Sequence, residues 1–312
     1  MKKIIPFLFV LLLGCSEDFS PNGEYRQRLI VYGVMEGNST SQMIRVYSTY
    51  SPDQYDPLRP APNTEVTNAS VRIMDGATEV LFHDSLITVT GPAGNRTVHV
   101  YVNNNAFQPT EGKTYTLKVA APGYDTVSSS FKGIFFGEVI TNSSLLSKPG
   151  TEKFIPIRVA TGLNSLAYLV TITLEYRVGS DTVLRRKESP MAVTKNSDGI
   201  VTKKFYPTLA YRNGSAVAST QYETVSFETA AYLSAISEIK AEFGSSAKFV
   251  RAIVTLKQFD TNLYTYYSIT NSFGGSASLR LDEPDYTNIT NGFGVFGMMT
   301  QQDRSYGLPA DF

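Results

Sequence analysis

The sequence has no tryptophan, two histidines and a single cysteine in 312 residues. One cysteine can close no internal disulfide, so the folded body depends on its hydrophobic core alone. The histidines, His83 and His99, have no cysteine partner and no H-x-x-x-H spacing, which argues against a zinc site; their places on expected strands suit surface or hydrogen-bonded core residues. Neither charge is in excess, since 28 basic residues balance 28 acidic ones. Nucleic acid calls for a basic stripe, and the densest basic run, Arg185-Arg186-Lys187, sits beside Glu188 and reads as a solvated strand or turn. No nucleic-acid partner is therefore expected. After the first fourteen residues no apolar run approaches the roughly 17 to 25 residues that a membrane span needs. The 42% hydrophobic content is enough to bury the core of one large or two ordinary domains.

The first fourteen residues are different in kind. Lys2 and Lys3 precede an apolar run from Ile4 to Leu13, too short to span a bilayer and suited to an export signal. Its ending, Leu12-Leu13-Gly14-Cys15, resembles the lipobox of bacterial lipoproteins, in which the thiol is acylated and the peptide is cut in front of it. Cys15 would then be the first mature residue and the link to outer-membrane lipid, where two or three acyl chains anchor almost permanently. Removing residues 1–14 takes two lysines away and leaves 26 basic against 28 acidic residues, a formal charge of −2. Ser16, Glu17 and Asp18 follow at once, and Pro21-Asn22-Gly23 completes a polar tether to residue 27. Ser16, Glu17 and Asp18 resemble the signal that carries Bacteroidota lipoproteins to the cell surface.

From residue 28 the hydrophobic pattern has a period of two. Leu29 to Tyr32, Gln42 to Ser48 and Ala69 to Asp75 read as half-buried strands. Asp75-Gly76 marks a hairpin turn into Thr78 to Phe82, because glycine tolerates positive φ there. Val98, Val100 and Val102 make another face, as do Tyr115, Leu117 and Val119 before Pro122-Gly123. Six or seven short strands in about 105 residues predict an immunoglobulin-like sandwich over 28–132. The Gly, Ser and Asn cluster at 133–150 reads as a linker. A second β-rich domain, 151–312, is expected from the faces Tyr168, Val170, Ile172, Leu174, Tyr176 and Val250, Ala252, Val254, Leu256. Gly179-Ser180-Asp181 would turn the first of these back. Helical spacing at Leu233, Ile236, Ile239 and Phe243 predicts a helix over Ala230 to Phe243 with Gly244 as C-cap, and Asp260 could cap a second helix through Phe273. The fold class is mainly β.

Near the C-terminus, Leu263-Tyr264-Thr265-Tyr266-Tyr267 and the run Tyr286-Thr287-Asn288-Ile289-Thr290-Asn291-Gly292-Phe293-Gly294-Val295-Phe296-Gly297 resemble the closing signature of domain of unknown function 4249. Arg28 to Gly33 and Ala69 to Ile73 resemble its opening strands. The resemblance covers nearly the whole mature chain and implies a Bacteroidota outer-membrane lipoprotein, often encoded beside a TonB-dependent transporter. It brings no catalytic residues with it.

Other motifs weaken on inspection. Gly292, Gly294 and Gly297 spell G-x-G-x-x-G, but only fifteen residues follow Gly297, too few for the helix and second strand of a dinucleotide site. Close strand packing explains them better. Ser237 with Lys240 and Ser245 with Lys248 fit S-x-x-K without its companion elements. Asp53 with Asp56, and Asp282 with Glu283 and Asp285, suit solvated loops better than calcium. Asp84-Ser85-Leu86, Asp125-Thr126-Val127 and Asp181-Thr182-Val183 resemble a permissive O-glycosylation motif. No cofactor and no enzymatic activity are expected. The expected function is binding, as an accessory component of a TonB-dependent transporter; the alternative is a structural or adhesive surface lipoprotein. Tyr50, Tyr55 and Leu58, in or beside the loop Ser51 to Asn68, are the candidate interface anchors.

Overall fold

A computed structural model of the chain describes residues 26–50, 64–91, 94–142, 144–212, 219–272, 286–310 and 312. It is mainly β. Seven strands form the first half: β1 Leu29–Glu36, β2 Met43–Ser48, β3 Ser70–Asp75, β4 Thr78–Gly91, β5 Gly94–Asn103, β6 Thr114–Ala120 and β7 Val127–Lys132. They join in the order β1-β2-β5-β4-β3-β6-β7, the strand order of an immunoglobulin-type sandwich. β4 belongs to both layers. Thr78 to Phe82 pair with β3 across the Asp75-Gly76 turn, and Phe82 to Gly91 pair with β5. Alternate residues Leu29, Val31, Ile44 and Val46 from one layer meet Val71, Ile73, Leu117, Val119 and Val127 from the other. Each such side chain contributes about 1.5–3 kcal/mol by leaving water. Tyr115, fully buried at the start of β6, accepts a hydrogen bond from the Thr110 backbone N–H (2.7 Å) and donates to Thr110 Oγ1 (3.1 Å). This is the tyrosine corner of such sandwiches.

The described residues of 133–150 are in part packed into the fold. Ile134, Val139 and Leu146 are fully buried, and β8 Glu138–Val139 and the one-turn helix α1 Ser144–Ser147 lie within it. β9 Phe154–Thr161, β10 Ala167–Val178, β11 Arg185–Glu188, β12 Ala192–Lys195, β13 Val201–Phe205, β14 Ala210–Tyr211 and β15 Gln221–Glu228 follow, then α2 Thr229–Phe243 and β16 Ala247–Phe259. β15, β9 and β8 make a small sheet, and β12 pairs with β13. A second core gathers Ile157 and Val159 of β9, Val170 to Tyr176 of β10, Phe227 of β15 and Val254 of β16 with α2. Gly244 takes φ 56° and its N–H closes α2 on the Lys240 carbonyl. The buried face of α2 is Tyr232, Ala235, Ile236 and Ile239, whereas Leu233, expected inside, is 40% exposed. One residue turns a helix by about 100°, so Leu233 falls at the margin of the stripe that Tyr232 occupies.

The last strand unites these parts. α3 Thr261–Ser272 leads through residues not described to β17 Phe293–Gly307. β17 pairs in parallel with β1 from Phe293 to Met299 and antiparallel with β16 from Met299 to Gly307. One sheet path therefore runs from β11 through β10, β16 and β17 into β1 and the sandwich. Ile289, Phe296 and Met298 complete the first core, and Tyr306 and Leu308 the second. A bridge between Thr290 and Ser128 ties the entry of β17 to β7.

The glycines of the G-x-G-x-x-G run lie in this junction, as close strand packing required. Gly294 has φ +106°, and a Cβ on it would sit 2.0 Å from the Val31 carbonyl oxygen. A Cβ on Gly297 would meet Asp260 Oδ1 at 2.6 Å and Leu263 at 2.7 Å, so its absence lets α3 lie on β17. Gly294→Ala is expected to cost about 3 kcal/mol and to lower the thermal transition by roughly 6–12 °C. Gly307→Ala, in the same strand with open space around it, should leave the transition within a degree or two. Calorimetry on the two variants checks the difference.

Candidate functional site

β5 pairs with β2 only at Met43–Val102 and Ile44–Tyr101. Farther along β2, the neighbouring segment is residues 64–66, held by Ser48 N–H to the Thr64 carbonyl and Val66 N–H to the Val46 carbonyl. Where β5 departs, a groove of about 480 Å³ opens on the outer face of the sandwich. Tyr32, Val34 and Glu36 of β1 and Met43 and Arg45 of β2 line it, with Ile87, Val89, Val98 and Val100 from the β4–β5 hairpin. Val98 and Val100 are buried outside the main cores, whereas Met43 is 48% exposed. The result is an apolar trough with charge at its ends.

Tyrosines build one end. Tyr32 stands edge-on between Tyr47 (6.2 Å between ring centres) and Tyr266 of α3 (6.1 Å), and Tyr266 meets Tyr267 at 5.6 Å. Burial, and then the neighbouring Tyr266, push the Tyr32 phenol above its ordinary range. The Arg45 guanidinium lies over the Tyr47 ring at 5.1 Å, a cation–π contact. Its Nε is buried without a hydrogen-bond acceptor, and among the described residues Arg45 forms no ion pair.

α3 is set by Asp260, which caps it as the spacing indicated. Oδ1 accepts from Leu263 N–H (2.8 Å) and Oδ2 from Met298 N–H of β17 (3.1 Å). Asp260 also donates its own N–H to the Met298 carbonyl. The carboxyl is almost wholly buried, and that desolvation pushes its pKa up to about 7 against the pull of the backbone N–H groups.

Elsewhere the charged groups have structural partners. Glu175, on the opposite face of β10 from Leu174 and Tyr176, has no exposed side-chain area and lies between Arg186 and Arg251. Burial raises its pKa, but the two guanidiniums outweigh burial and hold the carboxylate low. The basic run is thus a strand whose second arginine covers a buried carboxylate. Lys187 and Lys204 both reach Glu238. Arg212, 2% exposed, donates to the carbonyls of Gly162, Ser165 and Ser219. His99 meets Asp84 at 3.1 Å and His83 meets Asn104 at 2.7 Å, both on exposed strand surface. Ser237 lines a shallow hollow of about 890 Å³ beside α2 with Lys153, Lys195 and Leu233. No group of three or more His, Cys, Asp or Glu that could hold a metal occurs among the described residues, and no helix there is long and apolar enough to cross a membrane.

Of the sequence candidates, Tyr50 is 44% exposed, three residues beyond Tyr47. Tyr55, Leu58, Asp53 and Asp56 lie outside the described residues, as do Cys15, Ser16, Glu17, Asp18, Asp282, Glu283 and Asp285. Arg45 and Tyr32 were missed, because they stand on strands that the alternation marks only as half-buried, without saying what their second face meets. The signal was present in the apolar residues on both faces of β5, where Val98 and Val100 alternate with a buried Tyr101.

The raised Asp260 pKa has a sign. From about pH 4 to 7 the folded chain keeps a proton that the unfolded chain releases, so this group makes the fold less stable as pH rises through that window. The thermal transition of Asp260→Asn is expected to gain on that of the native chain as pH goes from 4 to 7, by at most about 1.4 kcal/mol per pH unit. Parallel curves across that range would show that Asp260 does not titrate there.

Several residues of the run 286–297 hold the junction together. Asn288 pairs with the Phe296 backbone in both directions (2.7 and 2.9 Å), and the Tyr286 hydroxyl donates to Asn262 Oδ1. Asn291 takes φ 63° in the turn into β17. No curated protein matches the chain. The family model described as "Domain of unknown function (DUF4249)" matches residues 16–305, which include both cores and nearly all of the strand that joins them, and the chain belongs to that family.

Proposed function

We propose that this protein is a lipid-anchored binding protein of the outer membrane that faces the cell exterior and serves a TonB-dependent transporter as an accessory component. The observation that carries the binding part is the groove between β1–β2 and the β4–β5 hairpin, an apolar trough on a rigid frame with Arg45 at one end. Concave apolar sites with few polar groups suit ligand capture. Catalysis asks for gathered titratable groups. In this fold the glutamates and arginines named above hold strands together. Anchoring rests on the export signal and Cys15, and the transporter role on the family's kinship.

Cys15→Ala is expected to abolish incorporation of a fatty-acid label and to leave an unprocessed or detached protein. Label kept by the variant would remove the anchor from the proposal. The partner is tested by pull-down from detergent-solubilised outer membrane, where a TonB-dependent transporter should co-purify with the native chain. Deletion of 57–62 should weaken that capture while the thermal transition stays within a few degrees. Recovery of attachment or secretion components in place of a transporter would favour the structural role.

A further inference from the structure

We propose that the groove binds a single carboxylate carried on an apolar body, taken by the Arg45 guanidinium; this deepens the binding role proposed above and rests on it. The groove has one cationic and one anionic end. In the β1–β2 register Arg45 stands opposite Tyr32, and Glu36 lies four residues farther along β1, roughly 13 Å away along the strands. Between them are Val34, Met43, Ile87, Val98 and Val100, with no charged side chain among them. The span suits an apolar group of several carbons or a short extended peptide.

Arg45 carries the chemistry. A guanidinium presents its donors in a planar fork that matches a carboxylate. Other arginines on the sheet use theirs on protein: Arg186 and Arg251 on Glu175, Arg304 on the Val139 carbonyl, Arg72 on Glu79. Arg45 has a buried Nε without an acceptor, and a tyrosine face holds the guanidinium in place. The guanidinium lines the groove and has no carboxylate partner among the described residues, so an arriving carboxylate would be the first to take its charge. Glu36 at the far end repels a second anion. The ligand is therefore a monoanion oriented with its charge toward Tyr32 and Tyr47. A fatty acid and the free C-terminus of an apolar peptide share this chemistry.

The test uses the full lipoprotein in nanodiscs, with empty nanodiscs as the blank, and measures binding by titration calorimetry. The probes are octanoate and N-acetyl-leucyl-phenylalanine, each paired with its neutral amide. At least one carboxylate should bind about tenfold to a hundredfold more tightly than its amide, and the tighter one identifies the source. Arg45→Gln should erase that preference while the thermal transition moves little; Arg45→Lys, which keeps the charge but loses the fork, should retain only part of it. Octanedioate should bind more weakly than octanoate. Failure of both carboxylates to exceed their amides, or a preference surviving in Arg45→Gln, overturns the carboxylate inference. Equal binding of octanedioate overturns the single-anion part. Co-purification with a transporter is an independent readout, so its survival would confine either failure to the ligand.

Discussion

A buried strand must find partners for its backbone N–H and carbonyl groups, and β17 changes neighbours halfway along. Its first half has β1 on one edge, its second half has β16 on the other. Where strand partners run out, side chains take over. Asp260 accepts from Met298 N–H, Asn288 serves the Phe296 N–H and carbonyl, and Asn38 accepts from Gln301 N–H at 2.7 Å. The Val139 N–H is in turn taken by Gln302 of β17. These polar contacts allow one strand to serve two cores, because a half-satisfied strand at that depth would cost more than its apolar side chains return.

The groove depends on that junction. Gly297 has no Cβ, so α3 lies directly on β17, and the Asp260 cap fixes where the helix begins. Tyr266 is thereby placed against Tyr32, and the tyrosine wall exists because the last strand and its preceding helix have docked on the first strand. The opposite wall comes from the sandwich itself. β4 is long enough to leave one layer and enter the other, and its far half carries the hairpin that faces Met43 and Arg45. Rigid sheet on both sides suits a site whose one cation has little freedom to move.

Polar residues elsewhere show how the same sheet deals with charge. Glu175 tolerates complete burial because guanidiniums from both neighbouring strands cover it. Arg212 tolerates it because three loop carbonyls share its charge. Both arrangements hold their charge against protein acceptors, whereas among the described residues Arg45 forms no ion pair and lies over the Tyr47 ring.

Much of the framework was legible one residue at a time. Period-two alternation marked the strands, Asp75-Gly76 the hairpin, and Asp260 and Gly244 the helix ends, because each depends on local backbone preference or on nearest neighbours. The burial of Glu175 was hidden, since its covering arginines lie 11 and 76 positions away. The pairing of Phe293–Met299 with β1, the packing of 133–150 and the groove were likewise hidden. Alternation states that a strand has an apolar face but not what that face meets. Sequence alone determined the fold class, the family and the candidate anchor. Tertiary structure decided that β1 and β17 share one sheet, because contacts between residues more than two hundred positions apart leave no periodic trace.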